Sequence, residues 1–354
     1  MLRFFARIKS FFVYHHRCTK LLRAAPSYES IPYPKHRAPF FLLKTLGDKN
    51  KDKVFYLIET PNGNNYGFFA LFRYVVSSMY VCLRTGFIPH VITKGTRYDR
   101  FPGDNMFENY FEQPFNTKTE DVLQSFNVIE HNEKHIDLIE QMNHNSSDLT
   151  NGYVISDDYL RLMANIIKRY VRLKPEVKEK LEQQINGLIK QPKKTIAIHF
   201  RGNAFNIGLK DHPAPLTIED YYPFVDECFS KGYEKIFLAT DEQQTAEKLC
   251  VKYPNKVVFF DDTFRSSNGF DLHEQVVDRE DNNYLLGYEA LRDMLALSWC
   301  GALICGLSQL SIISRIYKLS RDEEYEYLHI INKRFNAKTN KKRVKEYIKN
   351  RRKM

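Results

Sequence analysis

From Lys193 onward the chain alternates short, continuous apolar runs with helix-length segments, and that alternation leaves few folds open. The runs are Thr195 to Phe200 (TIAIHF), Lys235 to Ala239 (KIFLA), Lys256 to Phe260 (KVVFF), Gly301 to Cys305 (GALIC) and Tyr327 to Ile331. Runs this short and this apolar are strands covered on both faces, because a strand with one wet face would alternate polar and apolar positions. Helices are expected between them, near 217–231, 242–252, 284–300 and 309–320. Strand, helix, strand in succession makes a parallel sheet, and a parallel sheet presents its ligand site at the carboxyl ends of its strands.

A second such unit is expected earlier in the chain. KVFYLIE at 53–59 reads as a strand, PNGNNYG as a turn, 68–85 as a helix closed by Gly86, and 88–93 as a strand. Residues 95–150 are polar and Asn-rich with one short helix at 106–111, and helices follow at 156–172 and 174–190. The expected fold class is α/β: two Rossmann-like domains facing each other across a cleft, with basic amphipathic terminal helices. The expected divisions are a basic N-terminal segment and Pro-rich lead-in at 1–50, an α/β domain at 51–192, a Rossmann-like domain at 193–332 and a basic tail at 333–354. A chain of 354 residues suits two domains.

The formal charge of +10 is confined to the ends. Residues 1–23 hold six cations and no acid; residues 333–354 hold eleven cations and Glu346 alone; the intervening body carries −6. A body of that sign argues against a nucleic-acid-binding groove. Phe4, Phe5, Ile8, Phe11 and Phe12 recur at helical spacing among basic residues, and Val344, Tyr347 and Ile348 repeat the theme. Neither end has an apolar run near the roughly 20 residues of a membrane span. Such ends would hold the protein reversibly to an anionic cytoplasmic membrane face, or form plain solvated helices. The six cysteines have no CxxC or zinc-type spacing, which suits a reducing compartment, with Cys300 and Cys305 as core thiols. The expected location is therefore cytoplasmic and peripheral to the membrane. No GxGxxG follows a strand and no GxxxxGK[ST] is present, which disfavours dinucleotide oxidoreductases and P-loop kinases. Asp261-Asp262 reads as a turn rather than a metal site, and no metal or cofactor is expected.

Four groups of residues have chemistry in them. In IAIHFRG, His199 and Arg201 stand at a strand's carboxyl end and Gly202 opens the loop; the guanidinium would fork onto a phosphate, or pair with a body carboxylate. In GLSQL, Ser308 and Gln309 start a helix whose N–H groups and dipole favour an anion, although Ser308 is equally an ordinary helix cap. Asp293 is an acid on the preceding helix, functional or merely solvated. Tyr66 and Gly67 end the first domain's turn and would offer a ring and backbone to a ligand, or nothing beyond the turn.

Taken together, the run from Ile196 to Tyr317 resembles the nucleotide-binding half of the core α-1,6-fucosyltransferases and the bacterial nodulation fucosyltransferases. The resemblance rests on His199-x-Arg201, Phe237-Leu238-Ala239-Thr240-Asp241, Asp293 and Ser308-Gln309. Weaker similarity to bacterial surface-polysaccharide glycosyltransferases extends through 47–59, 67–91 and NMFENYFEQP at 105–114. The resemblance implies a GT-B-like fold with an acceptor-side domain at 51–192 and a nucleotide-sugar-binding domain at 193–332, and an inverting, metal-independent hexosyltransferase that moves fucose from GDP-fucose to a glycan or lipid-linked acceptor. It implies that Arg201, Ser308 and Gln309 hold the diphosphate, that His199 and Asp293 fix the guanine, and that Tyr66 and Gly67 close over the nucleotide. The chain departs from the family after Arg201, where Gly202-Asn203-Ala204-Phe205 replaces a second arginine and Thr-Asp-Lys. That leaves the general base between Asp211 and His212 in GLKDHPAP. The competing readings are a transferase of another nucleotide sugar and a non-catalytic module that binds nucleotide, RNA or membrane.

Overall fold

The computed structural model describes residues 43–60, 66–131, 153, 155–202, 209–266, 279–342 and 344–345. The N-terminal amphipathic segment, the Pro-rich lead-in to residue 42, residues 61–65 of the first turn, residues 203–205 after Gly202, and residues 343 and 346–354 of the basic tail lie outside the described residues. The chain falls into two compact units. One comprises the described residues of Met1–Tyr66, Leu71–Asn145 and Ile166–Lys174; the other comprises those of Gly67–Ala70, Ser146–Asn165 and Pro175–Met354.

The first unit holds a four-stranded sheet of β1 (Leu43–Lys44), β2 (Phe55–Glu59), β3 (Ile88–Ile92) and β4 (Val128–Glu130), in the order β1-β4-β2-β3. β2 runs parallel to β3 and β4, and β1 runs antiparallel to β4. The helix α1 (Phe68–Thr85) links β2 to β3 and ends where Gly86, at φ 74°, donates its N–H to the Cys82 carbonyl. β1 and β4 were not expected from the sequence, since two or three residues carry no readable period. The Asn-rich stretch after β3 satisfies that edge strand. Asn105 accepts from both the N–H and the hydroxyl of Thr93 and donates to the Val91 carbonyl, while Gln113 bonds the N–H and the carbonyl of Val91. Two short helices, α2 (Met106–Tyr110) and α3 (Thr119–Val122), lie in this stretch.

The helices α4 (Asp157–Tyr170) and α5 (Pro175–Leu188) precede the second sheet. Its strands are β5 (Thr195–Phe200), β6 (Lys235–Thr240), β7 (Val257–Val258), β8 (Ala302–Gly306) and β9 (Tyr327–Ile331). All pair in parallel, in the order β7-β6-β5-β8-β9. β5 is central and every residue of it is buried. Ile196 stands opposite Ile236 and Ala302, and Ile198 opposite Leu238 and Ile304, so the apolar runs meet as the core. The connecting helices are α6 (Tyr222–Ser230), α7 (Gln243–Lys252), α8 (Asn282–Trp299) and α9 (Gln309–Leu319).

Two expected elements differ. The helix expected over 217–231 begins as a separate 3₁₀ turn at Ile218–Asp220, with α6 restarting beside Pro223, whose missing N–H suits only a helix's first turn. The strand expected over 256–260 shrinks to Val257–Val258, because this edge strand pairs only with Ile236 and Phe237.

Two contacts fix the chain where α8 passes into β8. Lys318, 4% exposed, donates Nζ to the carbonyls of Ser298 and Cys300 at the end of α8. Gly301 donates to the Pro192 carbonyl, and a Cβ there would lie 2.3 Å from the Lys193 carbonyl oxygen. Backbone cannot move aside as a side-chain tip can. Gly301→Ala is therefore expected to cost about 1–3 kcal/mol by overpacking; a denaturant melt reads this, and an unchanged midpoint would contradict it.

Candidate active site at the carboxyl ends of β5 and β8

Because β5 and β8 are parallel neighbours, with His199 opposite Cys305, the loops that follow them leave on the same side. A pocket there is lined by His199, Arg201, Gly306, Ser308, Lys333 and Arg334, among others. The structure thus brings together three of the residues singled out in the sequence and adds two cations that had been assigned to the tail.

The His199 side chain projects from the end of the core strand. Its Nδ1 lies 2.7 Å from the Ser311 hydroxyl and 3.2 Å from that of Ser308. Burial, reinforced by the positive charge of Arg201, pulls the imidazole pKa down to about 3, so the ring is neutral at physiological pH. Tyr221 donates its hydroxyl to the His199 carbonyl at 3.1 Å. A Cβ on Gly306 would meet Leu216 at 2.7 Å and the Tyr221 oxygen at 3.3 Å, so a side chain at Gly306 would crowd the neighbours that lie against the strand's end.

Ser308 is the N-cap of α9, extended at φ −156°, with its hydroxyl accepting from the Ser311 N–H at 3.4 Å. The cap reading therefore holds, and it is compatible with the other. The capped end points the first-turn N–H groups, beginning at Gln309, away from the helix body, with no acid in the first turn to neutralise the dipole.

Arg201 pairs with a body carboxylate, the second of its two readings. Its Nη1 lies 3.1 Å from Asp241 Oδ2, and Asp241 Oδ1 accepts the Gly202 N–H at 3.1 Å. The Asp241 side chain is 6% exposed whereas that of Arg201 is 32% exposed. The carboxylate takes one edge of the guanidinium, and Arg201 also lines the pocket. Asp241 is the residue the sequence reading missed as a participant. Its signal was present: an acid at the carboxyl end of the strand beside β5. The role expected of Gly202 is corrected. Its open side is filled by Glu242, whose Oε1 would lie 1.9 Å from an added Cβ, so this glycine admits a neighbouring carboxyl group rather than a ligand. Burial raises the pKa of Glu242.

Asp211 and His212 sit in a turn sewn to the residues after β9. The Asp211 N–H donates to the Asn336 carbonyl, the Asn336 N–H donates to the His212 carbonyl, and Pro213 bridges Phe335. Asp211 has a left-handed φ of 64° and an exposed carboxylate 3.9 Å from the Lys210 ammonium. Pro213 and Ala214 line the pocket; Asp211 and His212 do not. Tyr66 is 56% exposed, in the first unit, and Gly67 has open space where a Cβ would stand, so no crowding demands glycine there.

Asp293 is not the solvated acid that one sequence reading allowed. It is 7% exposed on α8, in a group with Arg265, Glu289, Arg292 and Asp262. Arg292 gives Nη1 and Nη2 to Asp262, and Arg279 gives Nη1 to Glu289. Asp293 Oδ1 is left with no hydrogen bond among the described residues. Burial, only partly offset by Arg292 and Arg265, raises its pKa to about 7. The Asp261-Asp262 pair is a turn, as expected, with Asp262 committed to Arg292.

The chain is similar to several solved structures. A structure of NodZ alpha-1,6-fucosyltransferase co-crystallised with GDP matches 75% of this chain and 92% of its own, at 16% identity and a TM-score of 0.47. One of fucosyltransferase NodZ from Bradyrhizobium matches 74% and 92%, at 15% identity and 0.46. One of POFUT1 in its apo form matches 78% and 97%, at 10% identity and 0.38. Solved fucosyltransferase structures are thus among those the chain resembles. No protein-family model and no curated protein matches it.

The neutral, buried His199 makes an acid-stability prediction. A histidine whose folded pKa is depressed contributes stability that is full above its unfolded pKa near 6.5 and is lost as pH falls toward about 3. Melting curves of the protein and of His199→Gln should lie apart at pH 7.5 and converge toward pH 4. A gap that widens on acidification would contradict the assignment.

Proposed function

We propose that the protein is a glycosyltransferase, and within that class an inverting fucosyltransferase that takes GDP-fucose as donor and a glycan hydroxyl as acceptor. The observation that carries the reading is the convergence of Arg201 with the N-terminus of α9 in one pocket at the carboxyl ends of β5 and β8. Departure of a sugar from a nucleoside diphosphate leaves negative charge growing on the β-phosphate. A fixed guanidinium and a capped helix N-terminus are preorganised to take that charge without reorienting. Asp241 holds Arg201 in place for this, and His199, neutral and hydrogen-bonded to Ser308 and Ser311, ties the strand end to the helix start. The site residues named in the sequence, Gly202 excepted, keep their proposed roles on this reading, with Asp211 or His212 as base only if their turn moves toward the pocket. The sequence resemblance supports the guanine nucleotide and a metal-independent reaction. Attachment to an anionic membrane through the termini, a cytoplasmic location and a polysaccharide or lipid-linked acceptor belong to the same proposal.

Asp293 supports guanine over uracil. A carboxylate accepts from the adjacent ring N–H and amino group of guanine, whereas uracil presents a single ring N–H between two carbonyls. Guanine binding would favour the ionised form of a group whose pKa now stands at about 7. GDP affinity should therefore rise between pH 6 and pH 8, and binding near pH 7 should release protons. Titration calorimetry in buffers of differing ionisation heat measures the release. Asp293→Asn should abolish it and weaken GDP. UDP binding as tight as GDP, or no proton release, would count against the guanine reading.

The transfer itself is tested by turnover of GDP-fucose on soluble glycan acceptors. Arg201→Ala should reduce kcat by about a hundredfold or more, the size seen when one preorganised charge-stabilising group is removed. Full turnover in that variant would remove the phosphate role from Arg201.

A further inference from the structure

The residues after β9 enter the sequence reading only as the start of a basic tail, yet the structure builds them into the second unit. The Ala214 N–H donates to the Arg334 carbonyl, Pro213 bridges Phe335, and Asn336 gives its side-chain amide to the Leu209 and Pro213 carbonyls. Lys333 spans both oxygens of Asp220 at 2.6 Å. Between these anchors Arg334 adopts a left-handed φ of 70°, which costs an arginine roughly 1 kcal/mol or more and which glycine would adopt freely. Its N–H is given to Asn332 Oδ1 at 2.8 Å. Its side chain lines the same pocket as His199, Arg201 and Ser308. No hydrogen bond or ion pair of its guanidinium occurs among the described residues, in contrast to Lys333, which is neutralised by Asp220.

A strained backbone fixed from both sides and ending in an uncommitted guanidinium, at the mouth of a pocket that already holds an arginine and a helix N-terminus, is an arrangement for meeting an anion with more than one charge. We infer that Arg334 is a second diphosphate-binding residue, gripping the donor's phosphates from the side opposite to its partner in the loop after β5. This inference rests on the proposed use of a nucleoside diphosphate and extends it to a residue outside the 193–332 segment. It also separates the tail by function: Lys333 and Arg334 belong to the site, and any membrane role falls to the cations beyond them.

The test exploits the left-handed backbone. Arg334→Gly removes the charge and relieves the strain, so the variant should melt at or above the temperature of the parent protein. Calorimetry with GDP, inorganic pyrophosphate and guanosine should show GDP and pyrophosphate each weakened on the order of tenfold, the loss of one charge-assisted contact, with guanosine unchanged. Arg334→Lys should keep most of the affinity. GDP binding unaltered in Arg334→Gly but weakened in Arg201→Ala would overturn the inference and leave the proposed function standing. Pyrophosphate binding that depends on Arg334, without any binding of GDP, would support the inference and sink the nucleotide reading. An equal loss of guanosine affinity would overturn the phosphate role.

Discussion

The imidazole of His199 joins the end of β5 to the start of α9 through the hydroxyls of Ser308 and Ser311, and the geometry of the pocket depends on that joint. The joint requires a neutral ring, which full burial supplies. A charged ring there would be an unpaired cation beside Arg201. With the ring neutral, the hydroxyl that caps α9 also positions the strand end, so one set of hydrogen bonds aligns the strand end, the helix start and, through the chain of Phe200, the guanidinium two residues on.

Asp241 does the equivalent work from the other neighbouring strand. It takes one edge of Arg201 and the N–H of Gly202, so the loop leaving β5 is pinned on both flanks, by α9 and by β6. The pairing is nearly dry on the acid's side and partly wet on the arginine's. The acid fixes the direction of the arginine, whose side chain stays about one-third exposed at the pocket. Further along the fold, Asp293 shows the opposite condition. Its basic neighbours are committed elsewhere, which is why burial prevails and raises its pKa to about 7, leaving the carboxyl only partly ionised at pH 7.

Much of this was legible before the structure. The five apolar runs became the five parallel strands: β5, β6 and β8 are buried as runs apolar throughout must be, whereas the edge strands β7 and β9 are only partly covered. The carboxyl-end positions of His199, Arg201 and Ser308 followed from the strand assignments alone. What escaped had physical reasons. β1 and β4 are too short to show a period. Asp241 was visible as part of LATD, but its pairing with Arg201 depends on strand order, which the sequence does not state. Arg334 was hidden by its company: amid ten other cations it looked like tail, and only the pairing of 334–336 with 211–214 draws it into the body. Asp211 and His212 lie in a turn tied to Asn336, and it is the following Pro213 and Ala214 that line the pocket.

The central claim is that the β-phosphate of a guanine nucleotide sits between Arg201 and the first turn of α9. The most direct measurement is a crystal structure of the full chain soaked with GDP. The account predicts phosphate oxygens within hydrogen-bond distance of the Arg201 guanidinium and of the backbone N–H groups that begin at Gln309, with Ser308 still capping the helix. Density for GDP elsewhere on the protein, with this pocket empty, would contradict it.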